Sequence, residues 1–122
     1  MCWFGDGHGV EIGDYSNIGI RCYISNDIKL GEKEKMEPCR YLLGRVTHNY
    51  SDVTKPMILQ GMQQLPGITI IGDDVWIGRQ VLILSGINIG SHSIRGAGSV
   101  VTKDIPPFYV VAGNPAQIKK IR

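Results

Sequence analysis

The sequence predicts an all-β protein, a single-domain parallel β-helix with one extended loop and a short C-terminal tail. Apolar residues recur every six positions in two blocks, and glycine follows seven of the twelve positions. The residue four places further on is mostly small or β-branched. An α-helix repeats at about 3.6 residues and a flat strand at every second residue, whereas a six-residue period with glycine corners is typical of stacked β-helix coils. The twelve positions are Ile12, Ile18, Ile24, Leu30, Met36, Leu42, Ile71, Ile77, Ile83, Ile89, Arg95 and Val101.

The repeats predict the order of elements within one domain, residues 1–122. Coils are expected over 12–47 and 71–106, and residues 1–11 look like an incomplete coil. Between the blocks, the loop 48–67 has no hexad and carries two prolines. A structureless segment of this length in a compact domain is usually functional or disordered. We therefore expect the chemistry at this loop, and a short basic tail over 107–122.

Charged residues interrupt the pattern at two places. Glu34, Glu37 and Arg40 stand where small or apolar side chains would fit. An inward charge without a partner is costly, so either Glu34 pairs with Arg40, or this coil is distorted, or the residues reflect sequence drift. Arg95 breaks the second block, and we expect it to turn outward at a corner because charged side chains are rarely fully buried.

Composition excludes several classes of function. The formal net charge is +2, with no clustered basic face of the kind that nucleic-acid-binding domains carry. No apolar run approaches the ~18 residues that a membrane-spanning helix needs. Residues 1–7 have neither the basic nor the apolar region of a signal peptide. We therefore expect a cytoplasmic protein with no nucleic-acid partner and no membrane span.

Four segments have the order and spacing of motifs found together in one protein family. They are Ile71-Gly-Asp-Asp-Val-Trp-Ile-Gly78, Ile89-Gly90, Gly96-Ala-Gly-Ser-Val-Val-Thr-Lys-Asp-Ile-Pro106 and Gly113-Asn-Pro-Ala116. With these segments the chain resembles the hexapeptide-repeat O-acetyltransferases, and in particular those acting on maltose, galactosides and capsular polysaccharides, densely over 68–122 and more loosely over 10–67. The resemblance implies a left-handed parallel β-helix of hexapeptide repeats with three hexads per turn, and a homotrimer that holds acetyl-CoA and its acceptor between neighbouring prisms. It also implies that an N-terminal part of the family's usual length is missing.

His48 is the candidate general base. Acetyl transfer to a hydroxyl requires removal of the hydroxyl proton during attack, and a histidine titrates near the working pH. His48 begins the loop directly after a completed turn, His92 falls at a position expected to face solvent, and His8 lies in the incomplete first coil. His48 also matches the family's catalytic histidine. The alternative is a loop histidine bonded to the backbone. Asp52 or a backbone carbonyl could hold its second ring nitrogen.

The resemblance further implies five positions that contact the co-substrate acetyl-CoA. Ala97 would offer its backbone to the pantetheine arm, and Thr102 and Lys103 would reach the nucleotide end. Lys120 could pair with a phosphate as a point charge. Arg79 also matches a contact position, although relatives often have a small residue there. A solvated tail is the alternative for Lys120.

Two further residues are expected near the acceptor. Trp76 should point outward, and an outward indole indicates either a subunit interface or a ligand wall. Arg21 stands near a position where some relatives bind the acceptor through asparagine, so either it binds an anionic sugar or the acceptor site differs from theirs.

The sequence thus favours acetyl-CoA-dependent O-acetylation of a hydroxyl on a sugar or polysaccharide, in which a histidine base assists a direct transfer. The alternative is an inactive β-helix that serves as an assembly or binding module. Zinc carbonic anhydrases share the fold, but the three histidines lack the spacing of zinc ligands. We therefore expect no metal requirement.

Overall fold

A computed structural model describes residues 2, 9–38, 40–42, 46–64 and 67–122, with the backbone alone at positions 40, 41 and 46. The candidate histidine His8 and the side chain of Arg40 lie outside the described residues. Within the described ranges the chain forms sixteen short strands and one 3-10 helix, Met57–Leu59.

Fourteen of these strands stack into three sheets that form the faces of a prism, and all pairings within the faces are parallel except that of the last two strands. Face A contains β1 (Val10–Ile12), β4 (Ile28–Leu30), β9 (Thr69–Ile71) and β12 (Asn88–Ile89). Face B contains β2 (Asn17–Ile18), β5 (Lys35–Met36), β10 (Trp76–Ile77), β13 (Ile94–Arg95), β15 (Tyr109–Ala112) and β16 (Gln117–Ile121). Face C contains β3 (Cys22–Ile24), β6 (Arg40–Leu42), β11 (Leu82–Ile83) and β14 (Val100–Val101). The chain visits A, B and C in turn, so each coil is three hexads long.

The extended loop leaves this stack without disturbing it. After β6 the chain forms an antiparallel hairpin of β7 (Val46–His48) and β8 (Met62–Gln64), then returns as β9. Strand β9 pairs directly with β4, so that Leu30 lies beside Ile71. The coils on either side of the loop are therefore in register, and the loop projects from the edge between faces C and A.

The predicted six-residue period fills the interior of the prism. From Ile24 to Val101 the periodic residues within the described ranges are at most 4% exposed, and only the end-coil residues Ile12 and Ile18 are more open. Cys22, Val75 and Val81 occupy the second inward position and are also buried. Glycine is required where coils approach closely, since a Cβ at Gly78 would lie 2.6 Å from the carbonyl oxygen of Arg95. The predicted parallel β-helix is confirmed.

The expectation that Arg95 turns outward is wrong. Arg95 is 1% exposed, and it stacks on Ile77 in the register that β5, β10 and β13 share. Turning it outward would break the alternation of the strand and expose its neighbours. Strand register therefore determines its direction, and the guanidinium is enclosed in the core.

Glu34 is the second charge inside the prism, at 1% exposure. Burial raises the pKa of its carboxyl to about 8, while the nearby Val75 N–H and the Arg95 guanidinium act in the opposite direction. Burial likewise lowers the pKa of Arg95 to about 10, and the charge of Glu34 opposes that shift. Neither the carboxyl oxygens of Glu34 nor the guanidinium nitrogens of Arg95 have a hydrogen-bond partner. The pairing of Glu34 with Arg40 stays a prediction, because the side chain of Arg40 lies outside the described residues.

The segment predicted as a tail forms two strands. Val111 is fully buried and continues the interior column above Arg95, although the hexad pattern is lost after Pro106. Strand β16 then folds back antiparallel onto β15 at the end of face B.

Candidate active site

The hairpin places His48 on the edge between faces C and A. Its backbone pairs with Met62 across the hairpin, and its side chain is exposed. Strand pairing therefore holds the base of the loop, whereas the imidazole is open to a ligand.

Gln60 organises the loop beyond the hairpin, a role that the sequence did not reveal. Its amide nitrogen donates to the carbonyl oxygens of Asp52 and Lys55, both at 2.8 Å, and its amide oxygen accepts from the Asp52 N–H at 3.1 Å. The backbone carbonyl of Gln60 accepts from the Asn49 side chain at 2.9 Å. The loop is thus a defined structure closed around one amide.

The Asp52 carboxylate is hydrogen-bonded within the loop. Its carboxylate accepts hydrogen bonds from the Thr54 hydroxyl at 2.6 Å and the Thr54 N–H at 3.0 Å, which lower the pKa of Asp52. A carboxylate engaged in this way is a weaker candidate for orienting His48 than the sequence suggested.

Two predicted co-substrate residues share the edge of His48. Thr102 and Lys103 follow β14 and precede the bridge from Ile105 to Ile89, so they lie between faces C and A. On this edge, His48 lies between the second and third coils, and Lys103 lies directly after the fourth coil. The three residues therefore follow one edge of the prism along its axis.

Three other predicted residues lie on a different edge. Arg21, Arg79 and Ala97 follow strands of face B and precede strands of face C. Arg79 and Ala97 belong to adjacent coils, and the carbonyl of Arg79 accepts a hydrogen bond from the N–H of Gly98 at 2.8 Å. All three side chains are exposed.

Trp76 is on the outside of face B, as predicted, with 45% of its surface exposed. The paired strands place it in one outward row, which we call the face B row. From one end to the other the row contains Asn17, Lys35, Trp76, Ile94, Val110 and Lys120. The predicted acceptor residue Trp76 and the predicted phosphate contact Lys120 are therefore three strand spacings apart, or roughly 14 Å.

A polar cluster lies on the edge between faces A and B, next to Trp76. His92 Nδ1 is 3.0 Å from Asp74 Oδ2, and its ring stacks on Phe108 with centroids 4.9 Å apart. The Arg122 guanidinium donates to the same carboxylate oxygen at 3.0 Å and to the carbonyl of His92 at 3.3 Å. The hydrogen bond from His92, followed by that from Arg122, lowers the pKa of Asp74. His92 thus faces solvent only in part.

Two concave regions adjoin these residues. The larger, about 470 Å³, is an open groove on face A lined by Ile70, Asn88, Asp104 and Pro107 among others. The smaller, about 190 Å³, is lined by Lys35, Asp74, Val75, Trp76, Ile94 and Arg122. The smaller pocket contains the predicted acceptor residue Trp76, and it combines an indole wall with charged groups.

The predicted residues do not meet within one chain. In a three-sided prism, the edge between faces C and A is opposite face B. His48 and Lys103 are on that edge, whereas Trp76 and the pocket are on face B. A single protomer therefore cannot bring His48 and Trp76 to the same substrate molecule across the prism.

Comparison with known proteins connects this geometry to a class of enzymes. No protein-family model matches the chain. A chloramphenicol acetyltransferase of Klebsiella aerogenes is 49% identical over 59 residues, which cover 48% of this chain and 27% of that protein. The crystal structure of a maltose O-acetyltransferase from Clostridium difficile 630 superimposes with a TM-score of 0.82 at 32% identity, covering 99% of this chain and 63% of that one. A galactoside acetyltransferase in complex with coenzyme A gives a TM-score of 0.77 at 30% identity, covering 98% and 58%.

All three relatives are acetyltransferases, and the two with solved structures share this fold. The chain belongs to the hexapeptide-repeat acetyltransferase family, and galactoside and maltose O-acetyltransferases are among its relatives. It spans less than two thirds of the length of each of the three relatives described above. The names of those relatives agree on acetyl transfer and differ in the acceptor.

The described part of the chain has neither a cluster suited to a metal ion nor a membrane-spanning helix. Among the described residues, no group of three or more His, Cys, Asp and Glu side chains is placed to hold a metal ion. In the same ranges, no helix has the length and apolar character needed to span a membrane.

Proposed function

We propose that this chain is an acetyl-CoA-dependent O-acetyltransferase whose acceptor is a hydroxyl of a sugar or polysaccharide, and that it acts as a homotrimer in the cytoplasm. Membership of the family supports acetyl transfer, and a galactoside acetyltransferase of similar structure binds coenzyme A. The observation that carries the proposal is the position of His48 on the edge opposite Trp76. Such an arrangement is productive when the edge of one protomer meets face B of the next.

The levels of the residues along the prism axis support this assembly. His48 leaves between the second and third coils, and Trp76 is in the third. Thr102 and Lys103 follow the fourth coil, and Lys120 lies beyond it. Parallel protomers would thus align the reacting groups at one level and the cationic groups at a higher one. Coenzyme A would run along the axis, with its thioester near His48 and its phosphates near Lys103 and Lys120.

In this mechanism His48 takes the proton of the acceptor hydroxyl as the oxygen attacks the thioester carbonyl carbon. A C–O bond forms, and the carbonyl oxygen becomes an oxyanion. When it collapses, the C–S bond breaks, and the thiolate of coenzyme A takes the proton from the His48 imidazolium. The products are the acetyl ester and free coenzyme A.

The Ala97 backbone, beside the glycine corners of the edge between faces B and C, is suited to contact the pantetheine arm, because exposed glycine corners let a ligand approach the main chain. Arg79 lies one coil below on the same edge and adds a positive charge to the same approach. Arg21 and Trp76 are assigned to the acceptor, since they lie in the first and third coils, toward the end of the prism away from Lys120.

A mixing experiment tests the shared site. The variants His48→Ala and Trp76→Ala are each expected to be nearly inactive as homotrimers. In trimers coassembled from equal amounts of both, a site needs His48 from one subunit and Trp76 from its neighbour, so about a quarter of the sites should be intact. We expect thiol release from acetyl-CoA to recover to about a quarter of the wild-type rate.

Recovery should depend on subunit exchange, so the two variants mixed without dissociation serve as the control and should stay inactive. A coassembled sample that remains inactive, although each variant still binds acetyl-CoA, would contradict a site shared between subunits. Absence of both thiol release and acetyl-CoA binding in the wild-type protein would instead favour the non-catalytic binding module.

A further inference from the structure

The pocket on face B contains a cation that the proposed chemistry does not use. Lys35 follows Asn17 and precedes Trp76 in the face B row, and its ammonium lies 5.6 Å from the centroid of the Trp76 ring. No carboxylate of the described residues lies within ion-pair distance of Lys35 Nζ. Its charge is therefore available to a ligand.

The remaining charges of the pocket leave it positive. Asp74 and Arg122 form an ion pair at 3.0 Å, and His92 is bonded to the same carboxylate. The charges of Asp74 and Arg122 offset each other, so Lys35 determines the net charge of the pocket. Glu34, the neighbour of Lys35 in sequence, points into the core and is screened from the pocket by the sheet.

The composition of the pocket specifies a kind of ligand. Trp76 and Ile94 offer an apolar wall, against which the C–H face of a sugar ring can pack. Lys35 at the rim offers an ammonium group, and an ammonium on an aromatic surface is partly desolvated and attracts an anion more strongly than one in open water.

We propose that this pocket binds an acidic acceptor, a sugar whose carboxylate or phosphate pairs with Lys35 while its ring packs on Trp76. The inference rests on the proposed acetyl transfer, because the bound sugar is an acceptor only if the chain transfers acetyl groups. It assigns to Lys35 the selection of acidic over neutral sugars. Lys35 is thus a specificity-determining residue.

The position of Lys35 separates this anion from the phosphates of coenzyme A. Lys35 and Lys120 are four strand spacings apart along the face B row, or roughly 19 Å. Phosphates bound near Lys120 are therefore out of reach of Lys35, which lies on the far side of Trp76. The anion at Lys35 must come from the second substrate.

Lys35 could instead serve only as a cover for the indole, since lysine stems often pack on apolar surfaces. Lys35→Met separates the two roles, because methionine keeps an unbranched apolar stem over Trp76 and removes the charge. Lys29→Met is the matched control, since Lys29 is an exposed lysine on face A paired with Glu11 at 3.9 Å.

The test compares glucose, glucuronic acid and glucose 6-phosphate as acceptors, with thiol release as the readout. We expect the wild-type kcat/KM to be higher for at least one acidic sugar than for glucose, and the preferred sugar to tell a carboxylate site from a phosphate site. Lys35→Met should lower kcat/KM for that sugar at least tenfold, the scale of one charge-assisted hydrogen bond, or about 1.4 kcal/mol. It should leave glucose and the KM for acetyl-CoA unchanged, and Lys29→Met should change neither.

Binding supplies a readout that does not depend on catalysis. In a Trp3→Phe background, Trp76 is the only tryptophan of the sequence, so its fluorescence reports on this pocket. Acidic sugars should perturb it, less so at high salt and much less in Lys35→Met. This response in a protein that transfers no acetyl group would support the pocket and refute the enzymatic role. Active enzyme with equal kcat/KM for all three sugars, or a Lys35→Met variant that raises only the KM for acetyl-CoA, would overturn the proposal.

Discussion

The free energy of unfolding of the wild-type chain is expected to fall by as much as about 5 kcal/mol as the pH rises from 4.5 to 8, and this fall should be absent in Glu34→Gln. Burial raises the pKa of Glu34 in the folded state, so the folded chain keeps the proton to a higher pH than the unfolded chain. Below pH 4.5 both states are protonated and the carboxyl contributes no penalty. Between the two values the unfolded chain releases its proton freely and gains stability relative to the folded one.

Chemical denaturation at a series of pH values and one fixed protein concentration measures this effect. Glu32→Gln is the matched control, because Glu32 is an exposed carboxyl two residues away and should keep the wild-type slope. The lowered pKa values of Asp52 and Asp74 act in the opposite direction and below their ordinary value of 3.8, outside this window. A wild-type slope equal to that of Glu34→Gln would show that Glu34 is solvated or ionised in the folded state.

Glu34 and the second buried charged residue, Arg95, can both be replaced by apolar residues. Valine at position 34 would match its stacked neighbour Val75, and isoleucine at position 95 would match Ile77. Glu34 and Arg95 are buried ionisable groups without hydrogen-bond partners, and replacing buried ionic groups with apolar residues of suitable size often stabilises a protein by about 1 to 4 kcal/mol. Glu34→Val with Arg95→Ile should therefore be more stable than the wild type, whereas Glu34→Val alone leaves an uncompensated cation and should be less stable above pH 8. A double variant less stable than both single variants would show that the charges support each other.

The second large effect concerns catalysis. His48→Ala is expected to lower kcat/KM for acetyl transfer by at least about 100-fold, the usual contribution of a general base. Binding of acetyl-CoA measured by calorimetry should change little, since the imidazole acts on the acceptor hydroxyl. Added imidazole should restore part of the rate by occupying the space that the side chain left.

Equal thiol release from wild-type and His48→Ala proteins would remove His48 from the mechanism. Loss of acetyl-CoA binding together with activity would indicate that the substitution damaged the loop. The hairpin pairing of His48 is through its backbone, so we expect the loop to survive the change.

The interior of the prism was predictable because one rule determines it. In a stacked β-helix the inward direction repeats with the strand, so the hexad placed Met36 and Ile77 in the core without reference to any contact. The prediction for Arg95 was wrong because it judged one side chain by its charge and not by its register. The pairing of His92 with Asp74 was open to prediction, since both are corner residues of adjacent coils, three hexads apart. The hydrogen bond from Arg122 to Asp74 could not be predicted, because β16 lies outside the repeat.

The individual residues of the candidate site could be predicted from the sequence, but their positions relative to one another could not. Hexad phase identified Trp76 as outward, and the loop identified His48, but only strand order shows that they lie on opposite sides of the prism. The hydrogen bonds of Gln60 in the loop follow no period, since they depend on how residues 49–60 fold onto one another. The functional roles of these residues remain predictions.

The pairing of β4 with β9 across the base of the loop has an evolutionary consequence. The coils on either side of the loop are hydrogen-bonded to each other directly, so the fold does not depend on the sequence between β6 and β9. Insertions, deletions and substitutions there can alter what approaches His48 while the face B row and its lysines stay in place. Selection can therefore change the loop and the prism independently, so that a new acceptor can be acquired without rebuilding the prism surface proposed to bind coenzyme A.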